Sequence, residues 1–185
     1  SRILISPAIG VHPAAGLAGM KDGLSRIPGL GSLAWLSVEP EFDPYKYNSF
    51  ATNAGSQVHR ITRSVTKRIA TWTRSGPLKM FPPTLVFKST VDATVTTDAV
   101  IDNLLEHLNP NRHELVLFDV NRMAADLALL RDDPYPAVTA LFAEKQPFTL
   151  TFLTNRESER YWLEERQKRF MEIEMTTTPL NLHWR

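Results

Sequence analysis

Cysteine is absent from the 185 residues. This excludes disulfides, a thiolate nucleophile and thiolate metal sites. It leaves the compartment open, because a cysteine-free chain suits either redox environment. Long apolar runs are also missing: no stretch reaches the roughly 18 apolar residues of a membrane-spanning helix, so no transmembrane segment is expected. Charge of one sign is scarce. The 21 Lys and Arg against 20 Asp and Glu leave a formal net charge of +1, too weak a field to point to nucleic acid or an anionic membrane. The 5 histidines show no H-E-x-x-H or similar spacing. No metal site is therefore expected; no cofactor is expected either.

What is present describes an ordinary globular chain, with 43% hydrophobic and 22% charged residues, and the length suits one domain over residues 1–185. Five short apolar runs read as strands: residues 3–6, 84–88, 114–118, 148–153 and, more weakly, 180–184. Thr84-Leu85-Val86-Phe87 and Leu115-Val116-Leu117-Phe118 are continuous, not alternating, as in strands buried on both faces of a parallel sheet. Helical spacing lies between them. Val58, Ile61, Val65, Ile69 and Trp72 make one apolar face, with Asn53 expected as N-cap and Gly76-Pro77 as stop. Val100, Ile101, Leu104, Leu105 and Leu108 make another, with Thr97 expected as cap and Asp98 set against the helix dipole. Further helices are expected over 123–130, ended by Asp132-Asp133-Pro134, and over the charge-laced 158–170. The alternation predicts an α/β fold with a mostly parallel sheet flanked by helices.

Residues 7–83 break this rhythm. They are rich in Pro and Gly, with a short helix expected near 16–26, and are too long for a simple crossover. They read as an insertion on the sheet, such as a helical lid. Because Arg2-Ile3-Leu4-Ile5 opens directly in a strand, the chain is expected to be a piece of something larger.

Asp92 is the first chemical candidate. It follows the strand 84–88 by a short loop, and ligands of open α/β sheets bind beyond the carboxyl ends of strands. An acid there can orient a histidine and stabilise its imidazolium. It can equally be a turn aspartate that bonds backbone amides.

Arg2-Ile3-Leu4-Ile5-Ser6-Pro7-Ala8 resembles the strand after the nucleophile's helix in α/β-hydrolases. Pro83-Thr84-Leu85-Val86-Phe87-Lys88-Ser89-Thr90-Val91-Asp92-Ala93-Thr94-Val95 resembles that family's acid-bearing strand and loop. A lid commonly lies between those strands, where residues 7–83 stand. Glu41-Phe42-Asp43-Pro44-Tyr45-Lys46-Tyr47-Asn48-Ser49-Phe50 is similar to a bacterial branch of lipase- and lysophospholipase-like hydrolases. The resemblance implies a serine hydrolase that acts on carboxylic esters, lipid esters among them, by acyl transfer, with Asp92 as the triad acid. Its partners would be a small-molecule or lipid ester and the upstream part of the same parent protein. Tyr45, Tyr47 and Phe50 are candidates to line an acyl pocket, or form the lid's own small core.

The family's nucleophile elbow, G-x-S-x-G, does not occur in this chain. The nearest approach, Gly23-Leu24-Ser25-Arg26-Ile27, lacks the second glycine and a preceding strand. The elbow is expected upstream, the chain alone is expected to be inactive, and the histidine is expected just beyond Trp184. Ser25, Ser32 and Ser49 read as ordinary loop serines. His12 is placed on the active-site edge, His59 on a helix flank, His107 on a helix, and His113 at the opposite edge. Arg60, Arg63, Lys67, Arg68 and Arg74 form a basic side of the 58–72 helix, read as a solvated face or, more sharply, a patch for anionic headgroups. Asp119 stands second as acid. The competing reading is a non-catalytic α/β binding or scaffold domain.

Overall fold

The computed structural model describes residues 1–10, 18–37, 49–92, 95–120, 135–157, 159 and 161–183. It is an α/β fold with a six-stranded, mostly parallel sheet and, among the described residues, four helices. The elements are β1 (Arg2–Ile5), α1 (Ala18–Ser25), β2 (Trp35–Ser37), β3 (Phe50–Ala51), α2 (Thr52–Trp72), β4 (Thr84–Ser89), α3 (Thr97–Asn103), β5 (His113–Asp119), α4 (Tyr135–Ala143), β6 (Thr149–Asn155), β7 (Trp162–Lys168) and β8 (Thr176–His183). The large sheet runs β1-β4-β5-β6-β7-β8, while β2 and β3 pair by themselves. β1, β4, β5 and β6 are parallel neighbours, and β7 and β8 are antiparallel additions.

Spatial order follows chain order along the parallel strands. Right-handed crossovers then put every connecting helix on the same face, and the core agrees. Leu4, Val86, Leu115, Leu117, Leu150 and Phe152 point to one side. There they pack with Val65 and Ile69 of α2, Val100 and Ile101 of α3, and Val138, Leu141 and Phe142 of α4. Ile3, Ile5, Leu85, Phe87, Val116, Phe118 and Leu153 alternate onto the other side. No described helix covers that side, and Ile3 and Ile5 are 66% and 77% exposed.

The long helix is a crossover helix that overshoots the sheet. Thr62 and Thr66 donate to the carbonyls of Ala8 and Ile9, just past the carboxyl end of β1. Thr73 meets His107, on the approach to the amino end of β5, with Oγ1 3.0 Å from Nδ1. The ten residues before Thr62 therefore carry α2 about 15 Å beyond the carboxyl edge. At that projecting start, Thr52 Oγ1 donates to Ala34 O (2.8 Å) and Leu33 O (3.1 Å) of a 3-10 turn, Gly31–Ala34. α1 packs on α2 and on the same turn.

Several boundaries differ from expectation. Asn53 is not the N-cap of α2. The N-cap position is Ala51, two residues earlier, because β3 runs straight into the helix and Thr52 is tied to the 3-10 turn. Asn53 instead accepts from Gln57 on the surface. Thr96, not Thr97, caps α3, accepting from the Ala99 N–H at 3.2 Å, and the helix tightens into a 3-10 turn, Leu105–His107. Among the described residues the charge-laced 158–170 segment is not a helix, and Trp162–Lys168 of it form β7. Its Glu, Arg, Gln and Lys favour helix intrinsically, but pairing with β6 and β8 overrides that preference. Arg156 closes the hairpin, with Nη2 donating to Leu180 O at 2.9 Å and Nη1 to Glu159 at 2.8 Å. The helix expected over 123–130 lies outside the described residues. Its expected stop, Asp132-Asp133-Pro134, lies outside them too, and α4, starting at Tyr135, is a helix that the sequence pattern does not predict. Pro136 sits in its first turn, where a missing N–H costs nothing.

Candidate functional site

Asp92 lies where an acid would be useful, just beyond the carboxyl end of β4. The loop is built around it. Its own N–H donates to Ser89 O at 3.4 Å, and its Oδ1 accepts the Val95 N–H at 3.2 Å. Its Oδ2 is 3.6 Å from Nζ of Lys88. Lys88 belongs to the helix-covered face of β4, after Thr84 and Val86, and is buried there. Its ammonium also donates to Ser89 O at 3.1 Å. Burial pulls the Lys88 pKa below its ordinary value, and the Asp92 carboxylate partly opposes the shift.

The neighbouring strands end in buried polar groups. Asp119, the last residue of β5, accepts from Thr90 Oγ1 at 2.9 Å. Thr90 also binds Phe118 O through both its N–H, at 3.0 Å, and its hydroxyl, at 3.2 Å. Thr154 of β6 donates to Asp119 O at 3.4 Å, with Asn155 buried beside it. The carboxyl edge of β4, β5 and β6 thus gathers Lys88, Thr90, Asp119, Thr154 and Asn155, with Asp92 at its rim. Two carboxylates and one ammonium at a strand edge can orient a donor or balance a developing charge. Of this set, the sequence reading named Asp92 and Asp119. The signal for Lys88 was a lysine in a continuous apolar strand four residues before an aspartate.

The histidines do not join this cluster from the sheet. His113 starts β5 at the amino edge, as expected, and His107 is in the 3-10 turn rather than a helix. His183 closes β8, with its ring 5.1 Å from Trp162 and 5.8 Å from Tyr161. β8 runs parallel to β4, so His183 lies at the carboxyl edge. Four strand spacings separate the two strands, which is about 19 Å. His12, Tyr45 and Tyr47 lie outside the described residues. Phe50 is in β3, opposite Ser37, and its side chain lies outside the description. Ser25 ends α1, with Oγ donating to Asp22 O at 2.7 Å, so it stands in no strand-to-helix elbow. Ser32 is in a 3-10 turn.

The basic side of α2 divides in two. Arg60, Arg63 and Lys67 line an open groove of about 740 Å³, together with His59, Ile9 and Asn103, whereas Arg68 and Arg74 do not. Among the described residues no group of three or more His, Asp or Glu could hold a metal, and no helix is long and apolar enough to cross a membrane. No family model, no curated protein and no solved structure matches the chain.

Proposed function

We propose that this chain is part of a serine hydrolase of the α/β-hydrolase type, acting on carboxylic esters by acyl transfer. The observation that carries the reading is the order of parts: parallel strand β1, a long intervening segment, the adjacent parallel strand β4, and an aspartate at its carboxyl edge before a crossover helix. In this reading Asp92 orients a histidine and stabilises its imidazolium. An upstream serine attacks the ester carbonyl, and the histidine takes the serine's proton and returns it to the leaving alcohol. The end of β8 lies at the same edge as Asp92, which is where a histidine following it would enter.

Two further features support a larger parent. On the side of the sheet that no described helix covers, Ile3 and Ile5 are exposed, and parallel sheets bury both faces. α2 also lifts α1 and the β2–β3 pair toward the carboxyl edge, a position suited to a lid over an acyl pocket in which Tyr45, Tyr47 and Phe50 would take part.

The test compares the isolated chain with its full-length parent. Fluorophosphonate labelling and ester turnover are expected only in the parent, and Asp92→Asn there should lower kcat by about 10⁴. Serine-dependent turnover by the isolated chain, or no labelling of the parent, would refute the proposal. A second reading, a non-catalytic α/β binding or scaffold domain, is favoured by one contact set. Both Asp92 oxygens are engaged locally, Oδ1 by Val95 of its own loop and Oδ2 by Lys88 of β4. An upstream strand leading into G-x-S-x-G favours the enzyme, and another residue in the serine position favours the scaffold.

A further inference from the structure

The strongest unassigned feature is the groove between α2, α3 and the segment after β1. Arg60, Arg63 and Lys67 stand at i, i+3 and i+7, one stripe of the helix. All three line the groove, and none has an acidic partner among the described residues. A solvated lysine or arginine normally stands alone on a convex surface. Here three exposed cations line one open groove of about 740 Å³. Ile9 and Ala70 supply apolar lining, and Thr62 and Thr66 spend their hydroxyls on the carbonyls of Ala8 and Ile9. Among the described residues the positive side chains that line the groove, Arg60, Arg63 and Lys67, carry no ion pair to an acidic side chain. Gly10 brings its backbone so close to Ala99 of α3 that a Cβ would overlap the alanine methyl. This closes the floor where α3 meets the loop.

We infer that this groove binds a phosphate-type anion. A phosphate offers several acceptor oxygens to two guanidinium forks and one ammonium, the geometry in which arginine is strongest. Such a phosphate can come free or as the head of an amphiphile whose first carbons lie on Ile9 and Ala70. The inference does not depend on the hydrolase reading, because it uses neither Asp92 nor any serine.

The test titrates the 185-residue chain by calorimetry with inorganic phosphate, with dodecyl phosphate below its micellar concentration, and with dodecyl maltoside. Saturable one-to-one binding of a phosphate probe is expected. It should weaken about tenfold in Arg63→Gln and be abolished in Arg60→Gln/Arg63→Gln/Lys67→Gln. Arg68→Gln and Arg74→Gln, outside the groove, should bind as the parent does. Tighter binding of dodecyl phosphate than of inorganic phosphate assigns an amphiphile, and equal binding assigns the phosphate group alone. All these cations are on the surface, so unchanged thermal melting is expected, and Arg63→Gln alone reads the result should the triple variant melt. The inference is overturned by no saturable binding of either phosphate. It is also overturned by equal weakening in Arg68→Gln and Arg63→Gln, which would mean a diffuse field, or by maltoside binding as well as dodecyl phosphate.

Discussion

Lys88 and Asp92 hold each other across the carboxyl end of β4, Nζ 3.6 Å from Oδ2, with the lysine side chain wholly buried and the aspartate 20% exposed. The burden of the pair is uneven. The lysine has lost its water and the aspartate has kept some. Removing the aspartate leaves a buried ammonium with one carbonyl, Ser89 O, as its partner among the described residues.

Asp92→Ala should therefore destabilise the fold by about 3 kcal/mol, the cost of orphaning a buried charge. Lys88→Met in the same background should recover most of that loss, because the charge leaves with its partner. A double-mutant cycle in urea measures the coupling. A coupling below about 0.5 kcal/mol would show that each group is satisfied without the other. The same cycle separates stability from catalysis for Asp92→Asn, since only a catalytic role predicts lost turnover in folded protein.

His113 predicts a dependence at acid pH. Burial, followed by the neighbouring Arg112, pulls its pKa below the ordinary 6.5, against a smaller opposing contribution from the Asn109 backbone. The unfolded chain then binds more protons than the folded chain between the folded pKa and 6.5. Stability is full above that window and is lost as pH falls through it. Denaturation midpoints measured down from neutral pH should fall, and His113→Phe, which packs against Phe81 without titrating, should fall less. Parallel pH profiles for the two proteins would assign the acid sensitivity elsewhere.

How much of this was legible in the sequence depends on who sets each residue's conformation. β4 and β5 were readable because their apolar runs match burial within the sheet. α2 was readable from its apolar spacing, although of the five stripe residues only Val65 and Ile69 reach the core, while Val58, Ile61 and Trp72 are exposed. β7 was not. Glu164, Glu165, Arg166 and Gln167 carry helical propensity and are strand only through partners on β6 and β8, a relationship between segments that no local window holds. Asp92 was readable from its distance after a strand. Lys88 was hidden by the same apolar run that revealed β4, and the Thr90–Asp119 contact joins residues 29 apart. The basic side of α2 was legible as charge, but its division into groove cations and solvated ones depends on where Ile9 and Asn103 lie.

Gly10 gives a packing prediction. A methyl there would meet the Cβ of Ala99, which is held by α3 and cannot rotate away. Gly10→Ala should cost about 1–3 kcal/mol by overpacking. Gly10→Ala/Ala99→Gly should recover part of it, less the roughly 1 kcal/mol that glycine costs within a helix. Chemical denaturation of the three variants checks this, and an unperturbed Gly10→Ala would mean that the loop moves away without loss.

Lys168 gives the last prediction. Its side chain is buried at the end of α4, and its ammonium donates to Leu141 O (2.8 Å), Phe142 O (3.0 Å) and Glu144 O. The last carbonyls of a helix lack intrahelical partners, and here one cation from the neighbouring strand supplies two of them, Leu141 O and Phe142 O, and the Glu144 carbonyl just beyond the helix. It also suits the negative end of the helix dipole. Lys168→Met keeps the length and removes the donors, so it should cost about 1–3 kcal/mol. The loss should be local, with the amides of α4 exchanging faster than those of β5 and β6 under native conditions. The sign at high pH follows from burial, which lowers the Lys168 pKa against the opposing pull of Glu144. The unfolded chain binds the extra proton between the folded pKa and 10.5, so wild-type stability should rise with pH through that window. Lys168→Met should show a flatter rise, leaving the part due to Lys88. Hydrogen exchange that quickens equally across the whole sheet, or an alkaline profile unchanged by the substitution, would mean that Lys168 does not hold the end of α4.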